Sequence, residues 1–163
     1  MSDTMKRMWT ERQVRALGVD AAEQKENLKV FEHIVDKDGH KRFIDGDITM
    51  ETITGVTQTY GKWSLSGSHL LIVIAGTAAN GATMNGLIAT VDIPSWIKDK
   101  IVPLAGTVVD TYSMSLRAAD NTTQSTWCGL FKSGDYMQAQ VGSVTLTADR
   151  NFRATFDLLI DNE

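Results

Sequence analysis

Residues 60–76 read Tyr60-Gly61-Lys62-Trp63-Ser64-Leu65-Ser66-Gly67-Ser68-His69-Leu70-Leu71-Ile72-Val73-Ile74-Ala75-Gly76. The first part alternates, placing Trp63 and Leu65 on one face of an extended chain, the signature of a strand buried on one side. The second part does not: Leu70 to Ala75 is a run of six apolar residues, so both faces of that strand need cover. In a two-sheet sandwich only one face of each sheet meets the core. The other face of this strand must be covered by a neighbouring subunit or by the N-terminal segment, which makes Leu71 and Val73 candidate contacts between copies. Six residues fall far short of the ~20 that span a bilayer, and no membrane partner is expected.

The same alternation recurs outward from this stretch. Leu87, Ala89, Val91 and Ile93 share a face, as do Tyr112, Met114 and Leu116, and as do Phe152, Ala154, Phe156, Leu158 and Ile160. Further extended stretches are expected over residues 127–131, 136–141 and 144–148. Turn-forming pairs fall between them: Asn80-Gly81, Asn85-Gly86, Asp120-Asn121, Ser133-Gly134-Asp135 and Asp149-Arg150-Asn151. About eight short strands at this spacing predict a mainly β fold, a jelly-roll-like antiparallel β-sandwich. One interruption, residues 92–100, suits a short helix with Pro94 in its first turn, ended by Pro103.

Charge is segregated. Residues 1–50 carry 19 of the 36 charged side chains, residues 51–148 carry 11 and the rest carry 6. A charged, partly helical N-terminal segment therefore precedes the β body. Thr10 and Gln13 have capping-box spacing, and Trp9 with Val14 forms a hydrophobic staple. Val14, Leu17, Ala21 and Leu28 then recur at helical spacing. That helix either packs on its own domain or bundles with copies of itself, because two or three turns do not persist alone. Residues 30–35 and 40–44 flank Asp38-Gly39 as a strand–turn–strand pair, and Asp45-Gly46-Asp47 gives a second turn signal. The expected division is 1–28 as a helical attachment and oligomerisation segment, 29–50 as a β-hairpin linker and 51–163 as a sandwich head.

Composition and motifs exclude more than they assign. The chain of 163 residues carries a formal charge of −4, whereas nucleic-acid binding needs a basic surplus on one face. The start has no apolar stretch of the secretory kind, and the single Cys128 can form no intrachain disulfide. Gly55 to Lys62 has five residues between its glycines where a phosphate loop has four, and Trp63 stands where a Ser or Thr would hold Mg²⁺. No nucleophile elbow surrounds Ser64, Ser66 or Ser68. His33, His40 and His69 lack zinc spacing, and the Asp-rich turns lack the order of a calcium loop. No cofactor, metal or enzymatic activity is expected; a glycan-cleaving enzyme would need two facing carboxylates. What remains is a set of rings and amides suited to sugars, whose C–H faces stack on flat rings while Asp, Asn and Gln take the hydroxyls. Trp96, Trp127 and Tyr136, with Asp120, Asn121 and Gln138, are the candidate ligand residues.

The stretch 60–76 quoted above, the close Leu146-Thr147-Ala148-Asp149-Arg150-Asn151-Phe152-Arg153 and the opening Met8-Trp9-Thr10-Glu11-Arg12-Gln13-Val14-Arg15 resemble appendage proteins of tailed bacteriophages. These are receptor-binding, baseplate, tail-fibre or head-fibre proteins of phages that infect Gram-positive and gut bacteria. The resemblance implies a homotrimer in the virion, joined to other virion proteins through the N-terminal segment. Its β head would bind a host-surface saccharide or protein. A purely structural capsid- or tail-decorating protein is the alternative.

Overall fold

The computed structural model describes residues 43–160. The expected helix with Val14, Leu17, Ala21 and Leu28, and the strand–turn pair through Asp38-Gly39, lie outside the described residues. Eight antiparallel strands form the body: β1 Phe43–Met50, β2 Val56–Ser66, β3 His69–Ala78, β4 Thr83–Val91, β5 Val108–Arg117, β6 Thr123–Ser133, β7 Tyr136–Thr145 and β8 Arg150–Leu159. One short helix, α1 Ser95–Lys98, joins β4 to β5. The helix was expected from Pro94, whose carbonyl accepts from the Ile97 and Lys98 amides.

The strands close into a barrel in the order β1-β2-β3-β8-β5-β6-β7-β4. The expected mainly β, antiparallel architecture is present, with its two layers joined into a closed barrel. Two four-stranded halves are present, but hydrogen-bonded seams join them at both sides. One seam pairs Ile48–Met50 of β1 with Ala89–Val91 of β4. The other pairs Leu116 and Arg117 of β5 with Phe152 and Asn151 of β8. Closure removes the free edges that an open sandwich would present. Residues 43–50, placed at the end of a linker by the sequence reading, are a stave of this barrel. The turn expected at Asp45-Gly46-Asp47 is instead continuous strand. Gly46 stands opposite Trp63, and a Cβ there would lie 2.5 Å from the indole Nε1, so this glycine makes room for a ring.

The core is the barrel interior. Trp63, Leu65, Leu70, Ile72 and Ile74 meet Phe152, Ala154 and Phe156 from one half, and Met84, Met114, Leu116, Leu130 and Val141 from the other. Ile93, Ile97 and Ile101 around α1 close one mouth. In β4 the expected shared face of Leu87, Ala89, Val91 and Ile93 breaks at Leu87. A bulge between Leu87 and Ala89 buries Ile88 with Ala89, while Leu87 turns half out. One extra residue reverses the alternation on either side of it.

The order of strands conceals a duplication. Each half is a three-strand meander, β1-β2-β3 or β5-β6-β7, flanked by the fourth strand of the other half. β2 begins at 56 and β6 at 123, β3 at 69 and β7 at 136, β4 at 83 and β8 at 150, a constant displacement of 67 residues. The turns obey the same rule. Ser66 pairs with His69 around Gly67-Ser68, and Ser133 pairs with Tyr136 around Gly134-Asp135. Gly67 has φ 62° and Gly134 φ 53°, the left-handed backbone that a two-residue hairpin loop requires and that glycine adopts without strain. The chain thus carries a pseudo-two-fold relation between its halves. Residue 43, both of these turns, α1 and residue 160 fall at one end of the barrel; residues 51–55, 79–82, 118–122 and 146–149 fall at the other.

Candidate functional site

The six residues expected to bind a ligand do not come together. Asp120 and Asn121 lie in the β5–β6 turn at the end opposite α1. There the Asp120 carboxylate accepts from the Thr122 amide at 2.9 Å and from its hydroxyl at 2.7 Å, and these bonds hold its pKa below the usual carboxylate range. Asn121, at φ 67°, accepts from Arg117 Nε at 3.1 Å. Both are spent on turn chemistry. Trp96 is half-buried on α1 against the core, with Lys100 Nζ 5.5 Å from its ring centroid. Tyr136 opens β7 at the α1 end.

Trp127 and Gln138 remain, on the outer wall of the β5–β6–β7–β4 half. Alternation places Cys128 and Leu130 inward, so Trp127, Gly129 and Phe131 face out. Trp127 is 47% exposed. It lies over β7 because Gly142 has no side chain: a Cβ there would come within 2.5 Å of the ring. Phe131 meets Trp127 edge-on, centroids 6.2 Å apart. Gln140 pairs with Gly129, and Gln138 with Phe131. On the neighbouring strand the outward positions are Thr111, Ser113 and Ser115. Across this wall the outward side chains are mostly rings, amides and hydroxyls, with Leu87 opposite Gln140, Arg117 at the far end, and the Glu51 carboxylate accepting from the Thr90 hydroxyl at 3.3 Å.

The opposite wall, on the β1–β2–β3–β8 half, has a different character. Asp45, Ser64, Leu71 and Asp157 form one outward row across four strands, and Asp47, Lys62, Val73 and Thr155 the next. Lys62 is hydrogen-bonded to Asp47, and that carboxylate raises its pKa above the ordinary lysine value. His69 Nδ1 lies 3.3 Å from Asp157 Oδ1. A cleft of about 260 Å³ opens here, lined by Asp45, Tyr60, Lys62, Trp63, Ser64, Leu71 and Val73. Sequence reading singled out Leu71 and Val73 as contacts between copies and missed the cleft. Val73 is 6% exposed and Leu71 37%, so most of the cover sought for this strand already lies over Val73, which Lys62 and Thr155 flank.

A half-buried phenol, Tyr112, and a buried thiol, Cys128, lie between the walls. Tyr112 reaches across the part of the β5–β8 boundary that has no ladder, where its hydroxyl accepts from the Thr155 amide at 2.7 Å. Its ring meets Phe156 edge-on at 5.4 Å. Burial pushes the Tyr112 phenol well above its ordinary pKa and the Cys128 thiol up to about 12, so that thiol is no nucleophile at neutral pH. Among the described residues there is no group of three His, Cys, Asp or Glu that could hold a metal ion, and no helix long and apolar enough to cross a membrane.

No family model matches the chain, and no curated protein matches it either. Among solved structures, the bovine atadenovirus type 4 fibre head protein is similar at a TM-score of 0.40 and 10% identity, covering 69% of this chain and 96% of that one. A score at that level does not establish a shared fold.

Proposed function

We propose that this chain is a non-enzymatic virion appendage protein of a phage or prophage. In this reading its barrel is a host-surface binding head that takes a cell-wall saccharide on the Trp127 wall. One observation carries the reading: an indole, 47% exposed, is seated over the backbone of Gly142 and Gly129, with Gln140 opposite Gly129 and Gln138 opposite Phe131. A ring held flat at low entropic cost is a stacking platform for sugar C–H faces, and neighbouring amides donate and accept for hydroxyls. The resemblance of residues 60–76 and 146–153 to phage appendage proteins supports the virion setting. A homotrimer attached through the N-terminal segment fits the same setting.

The test is binding of the labelled full-length protein to a glycan array and to cell-wall preparations from Gram-positive and gut bacteria. Trp127→Ala is expected to lose at least 10-fold in affinity with an unchanged melting temperature. A variant that stays folded and binds as well as wild type contradicts the reading. Binding confined to purified virions identifies a decorating protein instead.

A further inference from the structure

The 67-residue displacement equates Tyr60 with Trp127. Both are outward rings, 51% and 47% exposed, and each stands opposite a small residue, Ala75 for Tyr60 and Gly142 for Trp127. The two walls are therefore two versions of one surface. Beyond the ring they have diverged: Leu71 and Val73 occupy the places of Gln138 and Gln140, and Asp45 stands at the rim.

We propose that the Tyr60 cleft is a second binding site, for an aliphatic ammonium group of the kind a lysine side chain carries. The floor is Leu71, 37% exposed, with the edge of Val73 beside it, an apolar surface for methylene groups. The Tyr60 ring borders the floor and attracts a cation through its π face. Lys62 lines the cleft as well, but its hydrogen bond goes to Asp47 and not to Asp45, which leaves the Asp45 carboxylate at the cleft for a second cation. Outward charges on this wall are Asp45, Asp47 and Asp157 against Lys62 and Arg153, with His69 next to Asp157. Three carboxylates against two fixed cations favour a cation over an acidic sugar. A volume near 260 Å³ holds one such side chain, not an oligosaccharide. The site does not rest on the saccharide reading of Trp127.

Amide and methyl NMR of the full-length protein tests it, with N-acetyl-lysine methylamide, 1,5-diaminopentane and the neutral Nε-acetyl analogue as probes. The lysine amide is expected to shift Ser64, Leu71 and Val73. Asp45→Asn, an exposed position, is expected to weaken it at least 5-fold with no change in melting temperature, whereas Trp127→Ala leaves it unaltered. Shifts from the lysine amide alone point to a peptide ligand, and shifts from the diamine as well to the ammonium stem; both uphold the site. No shift at millimolar probe, equal shifts from the neutral analogue, or undiminished binding by Asp45→Asn overturns it.

Discussion

At the scale of single residues, this molecule turns on what lies opposite each ring. Gly142 opposite Trp127 and Gly46 opposite Trp63 are the same device used twice. The missing Cβ lets an indole lie on the sheet, outside the barrel in one case and inside it in the other. Sequence reading identified Trp127 as a candidate but had no means of finding its seat, because Gly142 is distant in the chain and becomes its neighbour only through strand register. Asp120 and Asn121 lie away from that ring, where polar turn residues satisfy local partners first, here Thr122 and Arg117. Buried Cys128 supports a prediction about alkaline pH. The unfolded thiol ionises near 9 and the folded one near 12, so its contribution to stability is complete below pH 9. That contribution is lost as pH rises toward 12, by up to about 1.4 kcal/mol per pH unit. Urea unfolding across this range should show a shallower decline for Cys128→Ala than for wild type; parallel declines would mean that the thiol is not buried as described.

At the scale of elements, the seams are where pattern and structure part. Period-two alternation correctly orders β8, whose Phe152, Ala154, Phe156 and Leu158 all point inward, and it places Met114 and Leu116 of β5. It says nothing about whether the first and last strands of each half meet. Closure depends on a few long-range pairs and on side chains that replace missing ladder bonds. Gln58 does this at a β2 bulge, donating to the Ile48 carbonyl at 3.1 Å and accepting from the Met50 amide at 3.3 Å. Tyr112 does it between β5 and β8, where the ladder stops at Leu116. Removing its hydroxyl leaves the Thr155 amide without that acceptor, at a cost of about 1 kcal/mol. Tyr112→Phe should therefore lower the urea midpoint by that equivalent and speed hydrogen exchange at Thr155. Unchanged exchange there would show that the phenol does not close the seam.

At the scale of the whole molecule, the duplication explains why one barrel has two unlike walls. It was invisible in the sequence because the halves preserve geometry and not identity. Ser66-Gly67 and Ser133-Gly134 coincide, but Trp63 answers to Leu130 and Ile72 to Ala139, pairs that exchange bulk across a shared interior. The apolar run from Leu70 to Ala75 reads as needing cover on both faces; its inward face, Leu70, Ile72 and Ile74, is fully buried, whereas on the outer face Val73 is 6% and Leu71 37% exposed. What the run could not tell was that Lys62 and Thr155 flank Val73 within its own sheet. Hydrophobicity fixes how much cover a strand needs, and topology decides what provides it.

The two walls also differ in how they should respond to salt, which separates the saccharide binding proposed for the Trp127 wall from any electrostatic attachment. Charged contacts at a protein surface weaken steeply as the screening length falls from about 10 Å at 0.1 M salt to 3 Å at 1 M. Rings and amides are indifferent to that change. The direct measurement is retention of the full-length protein on the cell-wall preparation it binds best, followed from 0.05 to 1 M salt. The Trp127 wall predicts a nearly flat curve that Trp127→Ala lowers at every concentration. A steep loss with salt, unaffected by that substitution, would contradict it.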